Sequence, residues 1–219
     1  MAKHFHNELE KIKKKILSLG AMVEERVRMA TRSIESRDAE LAKQVIQSDY
    51  QIDEMEIDVE EECLKVIALH QPVASDLRFL ICIIKINNDL ERIGDLATNI
   101  AHRVMVISKV ENPSFTYDYN QMADKTNAML QQSLDALVNL DQGLAKKVCE
   151  LDDDVDSIKA DVYAQCQTAI KNDPDNIEYL LNVLLISRHM ERIADHTTNI
   201  AEEVIYMIEG EIVRHGKFW

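Results

Sequence analysis

The run from Leu90 to Val104 reads LERIGDLATNIAHRV, and the run from Met190 to Val204 reads MERIADHTTNIAEEV. Nine of the fifteen aligned positions are identical. Around the first run, Ile86, Leu90, Ile93, Ala97, Ile100, Val104 and Ile107 recur at alternating spacings of four and three. That period belongs to one face of a helix packed nearly side by side with its neighbours; a strand, with its two-residue alternation, cannot use it. The second run keeps the seam at Ile186, Met190, Ile193, Thr197, Ile200, Val204 and Met207. A long helix is therefore written twice, and the fold class is all-α.

The duplication extends outward. LAKQV (Leu41–Val45) answers LAKKV (Leu144–Val148), and Asp49, Asp53 and Cys63 answer Asp152, Asp156 and Cys166. Pro72, Pro113 and Pro174 fall between periodic segments, where proline stops one helix and leads into the next. Asp38, Ser75, Asp141 and Asp175 suit N-caps. These signals predict helices near 5–35, 39–70, 75–110, 116–139, 142–171 and 176–209. The simplest architecture is two tandem three-helix bundles, 1–110 and 111–219.

Composition narrows the function classes. The 219 residues carry a formal net charge of −14, so no basic stripe is available for nucleic acid, and cations or basic protein surfaces are favoured as partners. Cys63, Cys82, Cys149 and Cys166 form no Cys-x-x-Cys pair and sit among apolar residues, which predicts small buried hydrophobes in a reduced compartment. The N-terminal segment shows no signal-peptide core, and FLICIIKI from Phe79 is too short to span a bilayer. Any membrane link is expected to run through a partner. His4, His6, His70, His189 and His215 are expected to be ordinary surface histidines.

On a helical wheel Glu91, Asp95, Asn99 and His102 fall roughly opposite the seam, and Glu191, Asp195, Asn199 and Glu202 repeat the stripe. Asp49 and Asp53 lie one turn apart on the flank of the Leu41–Val66 seam, with Glu56 nearby; Asp152 and Asp156 repeat them, but Lys159 stands where Glu56 stood. A solvated face is one reading. A site is the other: the acids survive duplication, an Asp-x-x-x-Asp faces a Glu-x-x-x-Asp in both halves, and like charges four apart on a helix repel. A multivalent cation relieves that repulsion, and oxygen-only ligands suit Mg²⁺, Mn²⁺, Ca²⁺ or iron.

These residues also carry a resemblance. QPVASDLR (Gln71–Arg78), KINNDLERIGDLATNIA (Lys85–Ala101) and RHMERIADHTTNIAE (Arg188–Glu202) resemble the PhoU family of bacterial phosphate-uptake regulators over nearly the whole chain. The resemblance implies two three-helix bundles and often a homodimer. It also implies a cytoplasmic, non-enzymatic negative regulator between the ATPase-containing phosphate ABC transporter and a sensor histidine kinase. Surface metal sites would be formed by Asp49, Asp53, Glu91 and Asp95, and by Asp152, Asp156, Glu191 and Asp195, with iron, Mn, Mg or Zn as the ion. QPVASDLR reads as a helix link, with Arg78 available to a partner. The rivals are a metal-free helical adaptor, an accessory protein of another phosphate carrier, and a ferritin-like di-metal oxidase. The oxidase needs Glu-x-x-His, and none of the seven histidines has a glutamate three residues before it.

Overall fold

The computed structural model describes residues 2–212. Its helices are α1 (Ala2–Ser36), α2 (Ala39–Gln47), α3 (Tyr50–His70), α4 (Ala74–Ile107), α5 (Asn120–Asn139), α6 (Gln142–Asn172) and α7 (Ile177–Glu209). A single 3₁₀ turn, Pro174–Asn176, precedes α7, and the described residues include no strand. The chain thus builds two three-helix bundles, α1 with α2–α3 and α4, then α5 with α6 and α7.

The first link repeats in the second half. Arg37 and Leu140 both take a left-handed φ, 49° and 50°, and the next residue donates its N–H back to the helix, Asp38 to the Ser33 carbonyl and Asp141 to the Ala136 carbonyl, both at 3.0 Å. This is a Schellman stop built without glycine, at a cost of about 1 kcal/mol each. Asp38 and Asp141 then cap the next helix by accepting the N–H of Leu41 and Leu144 at 2.9 and 3.0 Å.

Other boundaries differ from expectation. The helix predicted over 39–70 is two helices, because Ser48 turns its hydroxyl onto the Gln44 carbonyl at 2.6 Å and bends the chain there. The segment predicted to start at 116 becomes helical only at Asn120. Ser75 does not cap α4; extended Val73 precedes it and Ala74 opens it with φ 51°. Asp175 lies within the 3₁₀ turn, and Asn176 precedes α7 with no side-chain cap bond.

The seam predicted around Leu90–Val104 is core, and α1 carries a matching one. Ile12, Ile16, Leu19, Val23, Val27 and Ala30 of α1 are fully buried, as are Ile86, Leu90, Ile93, Ala97, Ile100 and Val104 of α4. The two bundles share one continuous core, because α4 and α7 run antiparallel along each other and form the largest helix–helix interface. Polar ties cross it. Lys85 Nζ reaches both carboxylate oxygens of buried Glu203 at 3.1 Å, and Asp89 Oδ1 is bonded to His196 Nδ1 at 2.8 Å and Asn199 Nδ2 at 3.2 Å. Arg103 Nη1 donates to Asn182 Oδ1 at 3.3 Å. No helix among the described residues is long and apolar enough to cross a membrane.

The cysteines are free, three of them buried and Cys149 half-buried, and burial pushes the thiols of Cys63, Cys82 and Cys149 up to about 12 and that of Cys166 to about 11. Thiols held protonated in this way are poor nucleophiles. The expectation for the histidines is corrected here, and Arg78 has an internal contact. Arg78 lies over the Tyr206 ring, 6.0 Å from its centroid, and its guanidinium packs against Gly210, so it ties α4 to the end of α7. His189 and His70 are half-buried: His70 Nε2 pairs with Glu8 Oε2 at 2.6 Å, and His189 sits among Arg103, Arg188 and Arg192. His215 lies outside the described residues.

Candidate functional site

The first acidic face is set in register by one close contact. A Cβ added to Gly94 would lie 2.9 Å from Ile52 Cδ1, so α4 sits against α3 at this point because position 94 has no side chain. Asp49 and Asp53 flank Ile52, and Glu91 and Asp95 flank Gly94 with the same spacing. The Ile52–Gly94 contact therefore brings the two acidic pairs opposite each other.

The face is not the solvated side that the helical wheel suggested. Helix α4 is covered on several sides, by α1, α3 and α7, and its acids occupy the flank toward α3; Glu91 keeps 22% of its side-chain area exposed and Asp95 41%. Asn99 is half-buried and His102 is exposed. Thr98 Oγ1 donates to Asp49 Oδ1 at 2.8 Å, and Asn87 Nδ2 donates to the Glu56 carbonyl at 2.9 Å and to Glu56 Oε1 at 3.1 Å. Thr98 is among the polar residues kept in the repeated Thr-Asn-Ile-Ala, whereas Asn87 carries no such signal, its repeat partner being Ser187.

The electrostatics record a conflict. Burial first, and then Asp49, push the carboxyls of Asp95 and Asp53 up; burial first, and then Asp95, push that of Glu91 up. Arg92 opposes this only from outside, with its guanidinium half exposed and 3.4 and 3.6 Å from Glu91 and Asp95. Glu91 Oε2, the oxygen that Arg92 Nε approaches to 3.4 Å, is buried and accepts no hydrogen bond. Desolvated carboxylates that raise one another's pKa values and leave an oxygen unbonded have the donor chemistry of a hard-cation site. Among the described residues, however, no three His, Cys, Asp or Glu side chains stand in a ligating arrangement. The first face fits a cation in donor type and charge, and closing on one requires its side chains to turn inward.

The second face is different. Asp152 and Asp156 on α6 meet Glu191 and Asp195 on α7, and burial first, then Asp195, raise the Asp152 carboxyl to about 6. Into this set Lys159 inserts its ammonium, 2.5 Å from Glu191 Oε1 and 3.0 Å from Asp156 Oδ1. Thr198 turns its hydroxyl to the Asp195 carbonyl instead of reaching α6. The residues expected to form the second site are thus brought together around a side-chain cation already present.

The PhoU-domain family model matches residues 16–104 and 119–204, one match in each half. The chain is 38% identical to the phosphate-specific transport system accessory protein PhoU homolog of Pseudomonas aeruginosa over 216 residues, covering 98% of this chain and 89% of that protein. It is 41% identical to the corresponding homolog of Aquifex aeolicus over 209 residues, covering 95% and 94% of the two chains. The chain belongs to the PhoU family. The crystal structure of PhoU from Pseudomonas aeruginosa is similar in fold, with a TM-score of 0.91 and 38% identity over 94% of this chain and all of that one.

Within this PhoU chain the Ile52–Gly94 pair has a repeat counterpart of similar total volume and different identity. Ile52 answers Val155, and Gly94 answers Ala194: a methyl group lost on one helix is gained on the other. Gly94→Ala alone gains about 1 kcal/mol of helix propensity and loses more through crowding of Ile52, for a net destabilisation of about 1 kcal/mol. Ile52→Val alone costs about 1 kcal/mol. The double variant is expected to recover about 1 kcal/mol of coupling, read as urea midpoints in a double-mutant cycle. Additive free energies would show that the two residues do not set the register.

Proposed function

We propose that this chain is a cytoplasmic, non-catalytic negative regulator of phosphate uptake and phosphate-starvation signalling. It acts as an adaptor between the phosphate ABC transporter, through the ATPase subunit, and a sensor histidine kinase, and it works as a homodimer. Nearly full-length similarity to proteins named as phosphate-specific transport system accessory proteins carries the reading. The acidic surface and the lack of a membrane-crossing helix among the described residues support contact with the membrane through protein partners alone.

The first acidic face is proposed to hold a hard multivalent cation, with Asp49, Asp53, Glu91 and Asp95 as ligands and iron, Mn, Mg or Zn as the ion. When bound, the ion supplies positive charge that offsets the carboxylate repulsion and ties α3 to α4. The chain's own residues do the rest: Thr98 holds Asp49 in place, Asn87 fixes Glu56, and Arg92 balances charge from the rim. A metal-free adaptor is the second reading, favoured by the unconverged donors.

Deletion of the gene is expected to leave a phosphate-starvation reporter switched on in phosphate-rich medium, and complementation to switch it off. A reporter that stays repressed in the deletion strain contradicts the assignment.

A further inference from the structure

We propose that Lys159 is a tethered cation that closes the second acidic face, so that this face holds its carboxylates together without a metal ion. The proposal rests on the reading that these acidic faces have the donor chemistry of a cation site, and it makes the two halves of the duplicated chain chemically unequal.

Position 159 is the repeat partner of position 56, where the first half carries glutamate. Glu56 adds a fifth carboxylate to Asp49, Asp53, Glu91 and Asp95, and its own pKa is raised by burial and by Glu60 and Asp53. The exchange to lysine reverses the charge at that point. Its ammonium bridges the two helices, bonding Asp156 on its own helix and Glu191 on α7. Both bonds are charge-assisted, and they hold the Lys159 ammonium above its usual range although burial acts the other way, the Glu191 bond contributing most.

The same exchange alters what surrounds the position. Asn87, which fixes Glu56 in the first half, answers Ser187, and Ser187 turns its hydroxyl to the Leu184 carbonyl of its own helix. The amide that supported a carboxylate has gone together with the carboxylate. A divalent ion entering this face must break both lysine bonds and then sit beside a displaced ammonium, which is repelled by it. The first face places no comparable obstacle: Arg92 is half exposed and lies farther from the acids.

Equilibrium dialysis of the full chain against Mn²⁺, with bound metal counted per chain and helicity followed by circular dichroism, tests this. Wild-type Mn²⁺ is expected to disappear in Glu91→Ala/Asp95→Ala and to be unchanged in Glu191→Ala/Asp195→Ala. Lys159→Glu is expected to raise bound Mn²⁺ about two-fold, and adding Glu191→Ala/Asp195→Ala is expected to remove the increment. Lys159→Met, which deletes the charge without adding a ligand, guards against a folding defect and is expected to give a smaller gain. If Glu191→Ala/Asp195→Ala strips metal from the wild-type background, the lysine proposal is overturned while cation binding at the first face survives. If wild type binds no Mn²⁺ but Lys159→Glu does, the first-face reading fails and the lysine proposal stands. No gain in either helical Lys159 variant overturns the proposal.

Discussion

Replacing Glu91 and Asp95 together by alanine is expected to weaken Mn²⁺ retention roughly a hundredfold while leaving the helical signal near wild type. The two residues supply half of the four carboxylates proposed at the first face, and buried Glu91 Oε2 accepts no hydrogen bond and has only an ionic contact to Arg92 Nε at 3.4 Å. Their removal does not open the core, because the fully buried positions beside them are Leu90, Ile93 and Gly94's neighbour Ile52, which the substitutions leave in place. In the metal-free protein the change relieves repulsion: the carboxyls of both residues are raised, first by burial and then by other acids. The lost contacts to half-exposed Arg92 offset little of that gain. Thermal stability without metal is therefore expected to be equal or higher, and stabilisation by added Mn²⁺ to vanish. A large loss of helicity would place these acids in the core.

Acid sensitivity is the second large effect, and it arises from His189. Burial, with Arg103 on α4 and Arg192 and Arg188 on α7, lowers its pKa from the ordinary 6.5 to about 4. The folded protein therefore keeps the imidazole neutral at pH values where the unfolded chain binds a proton. The stability tied to His189 is fully present above pH 6.5 and is lost as pH falls toward 4. His189→Gln removes this linkage. Between pH 7 and pH 4.5 the variant is expected to gain about 2 kcal/mol on wild type, read from urea midpoints. Titrating carboxyls elsewhere are common to both proteins and cancel in the difference. Parallel pH profiles would show that His189 is solvated and free of the arginines.

The helices, their seams and the duplication were legible because core spacing is a local property of the chain. Of the α1 positions at seam spacing, Leu9 is half-buried and every one from Ile12 to Ile34 is buried. The bend at Ser48 was not legible, since a serine in mid-helix reads as neutral until its hydroxyl is seen on the Gln44 carbonyl. Nor was the mutual burial of α4 and α7: a helical wheel with one seam treats every other face as solvent, whereas α4 is packed by neighbours from both bundles. That is why His189 and Arg78 read as surface residues and are half-buried.

At the candidate site the eight acids were visible as a repeated pattern, and the structure brings them into the two expected groups. Their local order was not visible. The Thr98–Asp49 bond and the Asn87 clamp on Glu56 join residues 49 and 31 positions apart. Lys159 showed in the sequence as a departure from the repeat. Its geometry shows why the departure matters, since one ammonium satisfies carboxylates from both helices.

The central claim, regulation through a phosphate transporter, is tested most directly by capturing the tagged full-length chain from membranes of cells grown in high and in low phosphate, with metal content measured in the same preparation. The account predicts recovery of the phosphate ABC transporter's ATPase subunit and of a sensor histidine kinase, with more of both at high phosphate. Failure to recover either component under either condition would contradict it.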